Sequence, residues 1–321
     1  MPQFEKNENR IKTLVIAGPT AVGKTEFALH AASAFDGEII SCDSMQIYHG
    51  MDIGTAKPSS EEMALCPHHM IDIADPSKPF SAAMFAEMAR SAISDISSRG
   101  KLPVICGGTG LYLDGVLYDM DYGNNPENIE IRRFYTEMAE KDGPLALHEE
   151  LRKKDPAAAE EIHPNNIKRI IRALERISLG EENLQPFSGR RTENSEIDPL
   201  IIGLSRPREE LYDRINRRVD KMVELGLEDE VKGLVDSGLS LENISMQAIG
   251  YKEILECLNG ESTMEEAVDR IKKNSRHYAK RQFTWFKRYD KMEWVDMSAF
   301  GSEKEAMDEM DRMIEIWLKE K

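Results

Sequence analysis

The sequence predicts an α/β fold, a parallel β-sheet with helices on both faces, interrupted by an inserted all-helical domain. Three observations support this prediction. Short apolar runs alternate with helical patterns over the first hundred or so residues, as in sheets built from strand–helix–strand units. A stretch of about eighty residues then shows helical patterns without a convincing strand. A last apolar run, 200–204, returns the chain to the sheet.

The predicted strands are short apolar runs bounded by turn residues. They are residues 13–17, 38–42, 102–106 and 200–204. Three helices accompany them. The first continues to about Phe35, the second is capped by Ser81 and ends at Gly100, and the third has Pro207 in its first turn and stops at Gly226.

The middle of the chain is predicted to be a separate helical domain. Its clearest helix extends from Ile167 to Leu179. We expect a buried face on this helix, because its apolar residues follow a helical period. They are Ile167, Ile170, Ile171 and Leu174. The predicted domains are therefore a core of residues 1–118 and 199–321 and an insertion of residues 119–198.

Composition suits a globular protein, with 40% hydrophobic and 31% charged residues among 321. No apolar run approaches the ~18 residues that span a bilayer, and residues 1–10 do not resemble a secretory signal. The four cysteines have neither zinc-site nor disulfide spacing, so we expect reduced thiols in a cytoplasmic protein. The seven histidines suggest no metal site; we expect His68 and His69 to be structural and to precede a strand.

A complete phosphate-binding loop follows the first predicted strand. The pattern G-x-x-x-x-G-K-[ST] is formed by Gly18, Pro19, Thr20, Ala21, Val22, Gly23, Lys24 and Thr25. In such a loop, backbone N–H groups and the N-terminus of the next helix face the phosphates. Lys24 adds a positive charge, and the Thr25 hydroxyl is placed to ligate Mg²⁺. The sequence therefore predicts a site for a di- or triphosphate with Mg²⁺ as cofactor.

Two further loops are expected beside the phosphate loop. Asp43 follows the second predicted strand, and Thr109 lies in the glycine-rich stretch 107–110 after the third. Ligands of parallel sheets bind at the carboxyl edge, where these loops meet. Asp43 could ligate Mg²⁺, act as a general base or cap a helix, and the glycines could form only a tight turn. The loops alone leave kinases, NTPases and enzymes that expel pyrophosphate as alternatives.

Together with other segments, these motifs resemble the bacterial-type tRNA dimethylallyltransferases, also called tRNA isopentenyltransferases. The matching segments keep the order of the family and extend over about residues 13–290. They are residues 18–25, 43–48, 51–58, 68–72, 107–112, 169–175, 247–251 and 280–286. One departure is Lys168, where many members have glutamine; it leaves the contact made by Lys168 open.

The resemblance implies a core like that of P-loop NTPases and a tRNA-binding insertion. It also implies transfer of a dimethylallyl group from dimethylallyl diphosphate to N6 of the adenosine 3′-adjacent to the anticodon, position 37, with release of diphosphate. By this analogy Asp43 is the catalytic base, and Thr109 orients the adenine or the diphosphate. Arg214 and Arg218, four residues apart on one helix face, could clamp phosphate or form a solvated basic face.

The implied partner is the tRNA anticodon stem-loop. The residues expected to bind it come from the matching segments and from the insertion. They are Asp43, Ser44, Met45, Gln46, Thr109, Arg132, Lys168, Arg169, Ile170, Ile171, Arg172, Gln247, Gly250, Tyr251, Lys280, Arg281, Gln282 and Trp285.

The net charge of −16 argues against a nucleic-acid partner unless the positive charges are clustered. They are clustered within residues 272–288, which contain seven Lys or Arg, no acid, and the aromatics Tyr278, Phe283, Trp285 and Phe286. That composition suits phosphate contacts and base stacking. Lys168, Arg172 and Arg176 form a second basic stripe. Solvated helix faces and aromatic core packing are the structural alternatives.

We expect a monomer that binds no membrane. The closest rival function is that of a P-loop nucleotide or small-molecule kinase, which would use the same loop and a similar arginine pair. A second rival, a non-catalytic tRNA-binding module, would leave Lys24, Thr25 and Asp43 without a role.

Overall fold

The computed structural model describes residues 10–120, 128–180 and 192–320. The chain divides into two compact units. The core unit is Met1–Leu117 with Asn194–Lys321, and the insertion unit is Tyr118–Glu193. The chain thus returns to the core at Asn194, before the expected residue 199.

The core unit contains a six-stranded parallel sheet. The described strands are β1 (Ile11–Ala17), β2 (Gly37–Cys42), β3 (His68–His69), β4 (Leu102–Gly107), β5 (Tyr118–Asp119), β6 (Thr192–Glu193), β7 (Ile197–Ser205) and β8 (Met292–Asp296). The order in the sheet is β3-β2-β4-β1-β7-β8, and every neighbouring pair is parallel. Parallel sheets are covered on both faces, which agrees with β2 being buried along its whole length.

Thirteen α-helices are described. They are α1 (Lys24–Ala34), α2 (Ser60–Leu65), α3 (Ala82–Ser98), α4 (Gly110–Leu117), α5 (Ile129–Asp142), α6 (Pro144–Lys154), α7 (Pro156–Glu161), α8 (Ile167–Ser178), α9 (Arg208–Glu224), α10 (Leu227–Asp236), α11 (Tyr251–Leu258), α12 (Met264–Phe286) and α13 (Glu303–Lys319). The helices outside the insertion unit pack around the sheet of the core unit, so the predicted α/β class is confirmed.

Two hydrophobic clusters organise the core unit. In the first, Leu14 and Ile16 of β1 pack with Phe27 of α1 and with residues of α9 and α13. In the second, α10, α11 and α12 pack on the segment that follows β2, with Tyr48 and Tyr251 among its fully buried side chains. The second cluster therefore holds the segment after Asp43 against α10, α11 and α12.

Several local predictions were wrong. β8 was missed, because Met292–Asp296 is an edge strand whose burial pattern gives only a weak signal. His68–His69 is itself a strand instead of preceding one. The strand predicted at residues 200–204 is confirmed as β7, which differs only in beginning three residues earlier, at Ile197. Pro207 caps α9 from outside and does not lie in its first turn.

The insertion unit is mainly helical, with α5 to α8 packed around a small core. Leu147, Leu151, Ile170 and Leu174 are fully buried in it. Ile167, at the start of α8, is only half-buried against that core. The expectation of an all-helical insertion was wrong in one detail, because β5 and β6 form a short antiparallel pair. This pair closes the two ends of the insertion unit.

Candidate active site

The phosphate loop lies between β1 and α1, at the carboxyl edge of the sheet. A Cβ atom at Gly18 would lie 2.7 Å from the Leu204 carbonyl oxygen, so the close approach of β7 requires glycine there. Gly23 begins α1 with a left-handed backbone (φ 114°). The loop therefore has the strand–loop–helix context that phosphate binding requires.

Lys24 lies inside the loop, where its Nζ donates a hydrogen bond to the Pro19 carbonyl oxygen at 2.9 Å. Burial lowers the pKa of Lys24 to about 8, with Arg218 acting in the same direction, although Cys106 and Asp43 partly oppose the shift. A diphosphate bound there would stabilise the protonated amine, and the role of Lys24 as its cationic partner stays a prediction.

The predicted arginine pair points toward the loop. Arg214 Nε donates to the Ala21 carbonyl oxygen at 2.9 Å, and Arg218 Nη1 donates to Thr20 Oγ1 at 3.3 Å. A third arginine was not identified from the sequence. Arg206 Nε donates to the Val22 carbonyl oxygen at 2.9 Å, and its guanidinium also pairs with Glu303 at the start of α13.

A polar cavity of about 410 Å³ opens over the phosphate loop. Its lining includes Lys24, Thr25, Asp43, Arg218 and Tyr278. The structure therefore brings together the loop, the acid after β2 and the arginines of α9, as the topology predicts. The cationic lining suits a diphosphate.

Asp43 and Thr109 belong to two loops that are tied together. Asp43 Oδ1 accepts a hydrogen bond from the Met45 N–H at 2.9 Å. Thr109 Oγ1 accepts one from the Ser44 N–H at 3.0 Å, and the Thr109 N–H donates to the Cys42 carbonyl oxygen at 3.2 Å. The position of Asp43 is thus coupled to that of Thr109 through the backbone of residues 42–45.

A second cavity of about 280 Å³ adjoins the first, because both are lined by Thr20, Asp43, Arg218 and Tyr278. The rest of its wall is more apolar. It includes Ile215, Val219, Met222, Ile249 and Ile271. Besides Asp43, four residues predicted to bind RNA reach this cavity, namely Ser44, Met45, Gln247 and Arg281.

Tyr278 was predicted only as a stacking aromatic on a basic surface, whereas the structure places it in the wall between the two cavities. Burial raises the pKa of its phenol, and the charge of Asp43 adds to the shift. A signal for its position exists in the sequence. Ile271, Ser275, Tyr278 and Gln282 recur at helical spacing and form the face of α12 that points inward.

Tyr251 does not lie where an RNA-binding side chain is expected. Its ring is fully buried, and its hydroxyl donates to Glu230 Oε1 at 2.6 Å. The same Glu230 carboxylate accepts hydrogen bonds from the N–H groups of Asp52, Ile53 and Gly54. Tyr251 and Glu230 therefore anchor the loop after β2, and the neighbouring Gly250 (φ 101°) only begins α11.

Two glutamines predicted to bind RNA hold the protein's own loops. Gln46 accepts a hydrogen bond from Ser41 Oγ at 2.8 Å and donates to the carbonyl oxygens of Thr55 and Ala56. Gln282, only 5% exposed, bridges the phosphate loop and the glycine-rich loop.

The α12 helix presents some of its predicted residues to solvent and buries others. Lys280 and Arg281 are exposed. Trp285 points inward and packs against Gly110, where an added Cβ atom would lie 2.2 Å from the indole ring. The guanidinium carbon of Arg288 lies 4.1 Å from the centre of the same ring. Thus α12 carries exposed basic residues, whereas most of its aromatic side chains pack inside the protein.

In the insertion unit, the predicted contacts also separate into exposed and buried residues. Lys168 is exposed and Arg169 half-buried, whereas Ile170 and Ile171 lie in the core of the unit. Arg132 and Arg172 both pair with the fully buried Glu175, and the Asn128 N–H donates to the same carboxylate. Burial alone would raise the pKa of Glu175, but hydrogen bonds from Arg172, Asn128 and Arg132 outweigh it and lower the pKa.

The donors over the phosphate loop fit a magnesium ion. Thr25 supplies a hydroxyl and Asp43 a carboxylate to the same cavity, and Mg²⁺ takes few protein oxygens while keeping several waters. In the described parts of the chain, no group of three or more His, Cys, Asp or Glu residues could form a larger metal site.

These features define the class of the protein, a P-loop enzyme whose phosphate loop adjoins an acid and a second, apolar cavity. Comparison with known proteins narrows the class. A family model described as IPP transferase matches residues 46–289, and one described as isopentenyl transferase matches residues 11–72. The chain belongs to the IPP transferase family.

Individual relatives agree with this assignment. A tRNA dimethylallyltransferase from Caldanaerobacter subterraneus is 49% identical over 88% of this chain and 91% of its own, and one from Bacillus pumilus is 48% identical over 89% of both. The crystal structure of the full-length tRNA isopentenylpyrophosphate transferase from Bacillus halodurans is 46% identical, covers 97% of both chains and superposes with a TM-score of 0.72. The structure of a eukaryotic dimethylallyltransferase acting on tRNA superposes with a TM-score of 0.73. It is 29% identical and covers 95% of this chain and 79% of its own.

Proposed function

We propose that the protein transfers the dimethylallyl group of dimethylallyl diphosphate to N6 of adenosine 37 in the anticodon stem-loop of tRNA and releases diphosphate. The general activity, isopentenyl transfer to tRNA, is that of its family and relatives. The observation that carries the finer proposal is the position of Asp43 at the junction of a cationic cavity and an apolar one.

The cationic cavity is suited to the leaving group. Cleavage of the bond between C1 of the dimethylallyl group and its diphosphate oxygen leaves negative charge on that oxygen. Lys24 and Arg218 line this cavity, and preorganised cations of this kind would stabilise that charge without reorganisation. Mg²⁺, when bound through Thr25, would supply further charge stabilisation on the diphosphate.

The acceptor amine requires a different environment. An adenine that enters through the apolar cavity brings its N6 amine to Asp43, opposite the diphosphate. The bond from N6 to C1 then forms as the C1–oxygen bond breaks, and Asp43 accepts the N6 proton, a contribution of ~10²–10⁴ in rate. The target base has to leave its stack, which costs least in a single-stranded loop such as the anticodon loop.

The proposal extends to partners and location. We infer a monomer that works in the cytoplasm. The described residues contain four free cysteines, as expected for a reducing compartment. Among those residues no helix is long and apolar enough to cross a membrane. Sedimentation with and without tRNA measures the oligomeric state.

The direct test is incubation of the enzyme with an unmodified tRNA transcript, Mg²⁺ and dimethylallyl diphosphate, followed by nucleoside analysis for isopentenyladenosine. A transcript with guanosine at position 37 should remain unmodified, and ATP in place of dimethylallyl diphosphate should not be consumed. Asp43→Asn should lower kcat by ~10²–10⁴ while leaving binding of inorganic pyrophosphate within about threefold. Near-normal turnover of Asp43→Asn would remove Asp43 from the role of base.

A further inference from the structure

The side-chain amide of Gln282 connects two loops that belong to different substrates in the proposed reaction. Its Oε1 accepts a hydrogen bond from the Thr20 N–H at 2.8 Å, and its Nε2 donates to the Gly108 carbonyl oxygen at 2.9 Å. Both groups of the amide are thus used inside the protein, and the side chain is only 5% exposed. The sequence suggested a direct RNA contact for Gln282, whereas in the structure its amide joins two backbone segments of the protein.

The two backbone groups that Gln282 holds lie next to functional side chains. Thr20 belongs to the phosphate loop, and its hydroxyl accepts a hydrogen bond from Arg218. Gly108 immediately precedes Thr109, whose hydroxyl fixes the Ser44 N–H next to Asp43. The amide thus spans the gap between the loop that would hold the diphosphate and the loop that places the base.

We propose that Gln282 is a positioning residue that sets the separation between the diphosphate site and the Asp43–Thr109 site. The effect of this separation on catalysis rests on the proposed function. The length and planarity of the amide suit the role, because its donor and acceptor are held at a fixed spacing. A near-attack geometry depends on such spacing, and a misplacement of 1 Å can cost about 10²-fold in rate.

Gly108 packs directly against the side-chain amide of Gln282. A Cβ atom at position 108 would lie 2.2 Å from Gln282 Nε2, and its next contacts would be at 3.3 Å to the same side chain and 3.5 Å to the Gly18 carbonyl oxygen. The only severe overlap is therefore with the bridging amide. This local conflict permits a test by paired substitutions.

Gln282→Met keeps the size of the side chain but removes both hydrogen bonds. We expect kcat to fall ~10- to 100-fold, with KM for tRNA and for dimethylallyl diphosphate within about threefold of wild type. The matched control is Asn274→Leu, which removes a 2.7 Å hydrogen bond from the same helix to Glu253 and touches neither loop. If both variants lose the same thermal stability and neither loses kcat, Gln282 is only structural and the inference is overturned. If KM for tRNA alone rises, Gln282 contacts RNA directly and the inference is also overturned.

The paired substitution is Gly108→Ala with and without Gln282→Ala. Gly108→Ala alone should lower kcat about as much as Gln282→Ala, because it displaces the amide. The double variant should lose no more than Gln282→Ala alone, since the overlapping side chain is then absent. Losses that multiply in the double variant would refute the inference.

Hydrogen exchange separates this inference from the proposed function. The Thr20 amide should exchange about 2- to 10-fold faster in Gln282→Met, the factor expected for one lost hydrogen bond, and should be unchanged in Asn274→Leu. If the wild type makes no isopentenyladenosine but Thr20 responds in this way, the proposed function fails and the structural bridge stands. An unchanged Thr20 amide in Gln282→Met would refute the bridge whatever the activity.

Discussion

The lowered pKa of Lys24 leads to a quantitative prediction for diphosphate binding. In the protein without diphosphate this pKa is about 8, mainly because the amine is buried. A bound diphosphate favours the protonated amine and raises the pKa again. The protonated form therefore binds better, so affinity is fully present below pH 8 and is lost as the pH rises above it.

The size of the effect follows from the pKa. At pH 9 roughly one molecule in eleven carries the protonated lysine, so the affinity for diphosphate should be about tenfold lower than at pH 7. The logarithm of the association constant should fall with a slope near −1 above pH 8. Burial raises the pKa of the nearby Cys106 to about 11 and raises that of Tyr278, so neither thiol nor phenol titrates between pH 7 and 9.5.

The assay is calorimetric titration of the protein with inorganic pyrophosphate at fixed Mg²⁺, from pH 7 to 9.5 and without RNA. Lys24→Met provides the control, because it should bind more weakly and without this dependence on pH. Because pyrophosphate itself ionises in this range, the wild-type affinity is divided by that of Lys24→Met, and a ratio that stays constant to pH 9.5 would refute the assignment of Lys24 as the titrating partner. The lowered pKa of Lys24 affects the stability of the fold in the opposite direction from its effect on diphosphate affinity. The unfolded chain binds the Lys24 proton more tightly between pH 8 and 10.5, so this group adds stability as the pH rises through that range.

Three more predictions follow from the site. Tyr251→Phe removes a hydrogen bond to the Glu230 carboxylate and should cost ~1.5–3 kcal/mol in denaturant unfolding, with KM for tRNA unchanged; a raised KM at full stability would instead indicate direct RNA contact. Glu175→Ala removes the buried carboxylate that accepts hydrogen bonds from Arg132, Arg172 and the Asn128 N–H and should destabilise the insertion unit by ~1–3 kcal/mol, measured by proteolysis within that unit; wild-type resistance would contradict the structural role. Lys280→Ala with Arg281→Ala should reduce the slope of log affinity for tRNA against log salt concentration by ~0.7–0.9 per lost phosphate contact. An unchanged slope would place the RNA elsewhere.

Much of the active site could be predicted because parallel topology places strand ends at one edge. The loop around Lys24 and the residues after β2 and β4 are local motifs, and the sheet brings them together whatever the details of packing. The arginines of α9 could be predicted for a similar reason, since positions four apart share a helix face. The confirmed α/β class rests on the same alternation of strand and helix patterns.

The sequence by itself therefore determined the fold class, the phosphate loop and the set of loops that meet beside it. Only the tertiary structure decided which polar side chains face the candidate site and which make hydrogen bonds within the protein. Gln282, Tyr251 and Arg132 look alike as candidates for RNA binding, yet each is held by a partner distant in sequence that no local pattern reveals. Gln282 and Arg132 could equally have pointed to solvent on their helices, and Tyr251 could have lain on the surface of α11. The cost of leaving a buried carboxylate or amide unpaired fixes their orientation, and those partners are known only once the chain has folded.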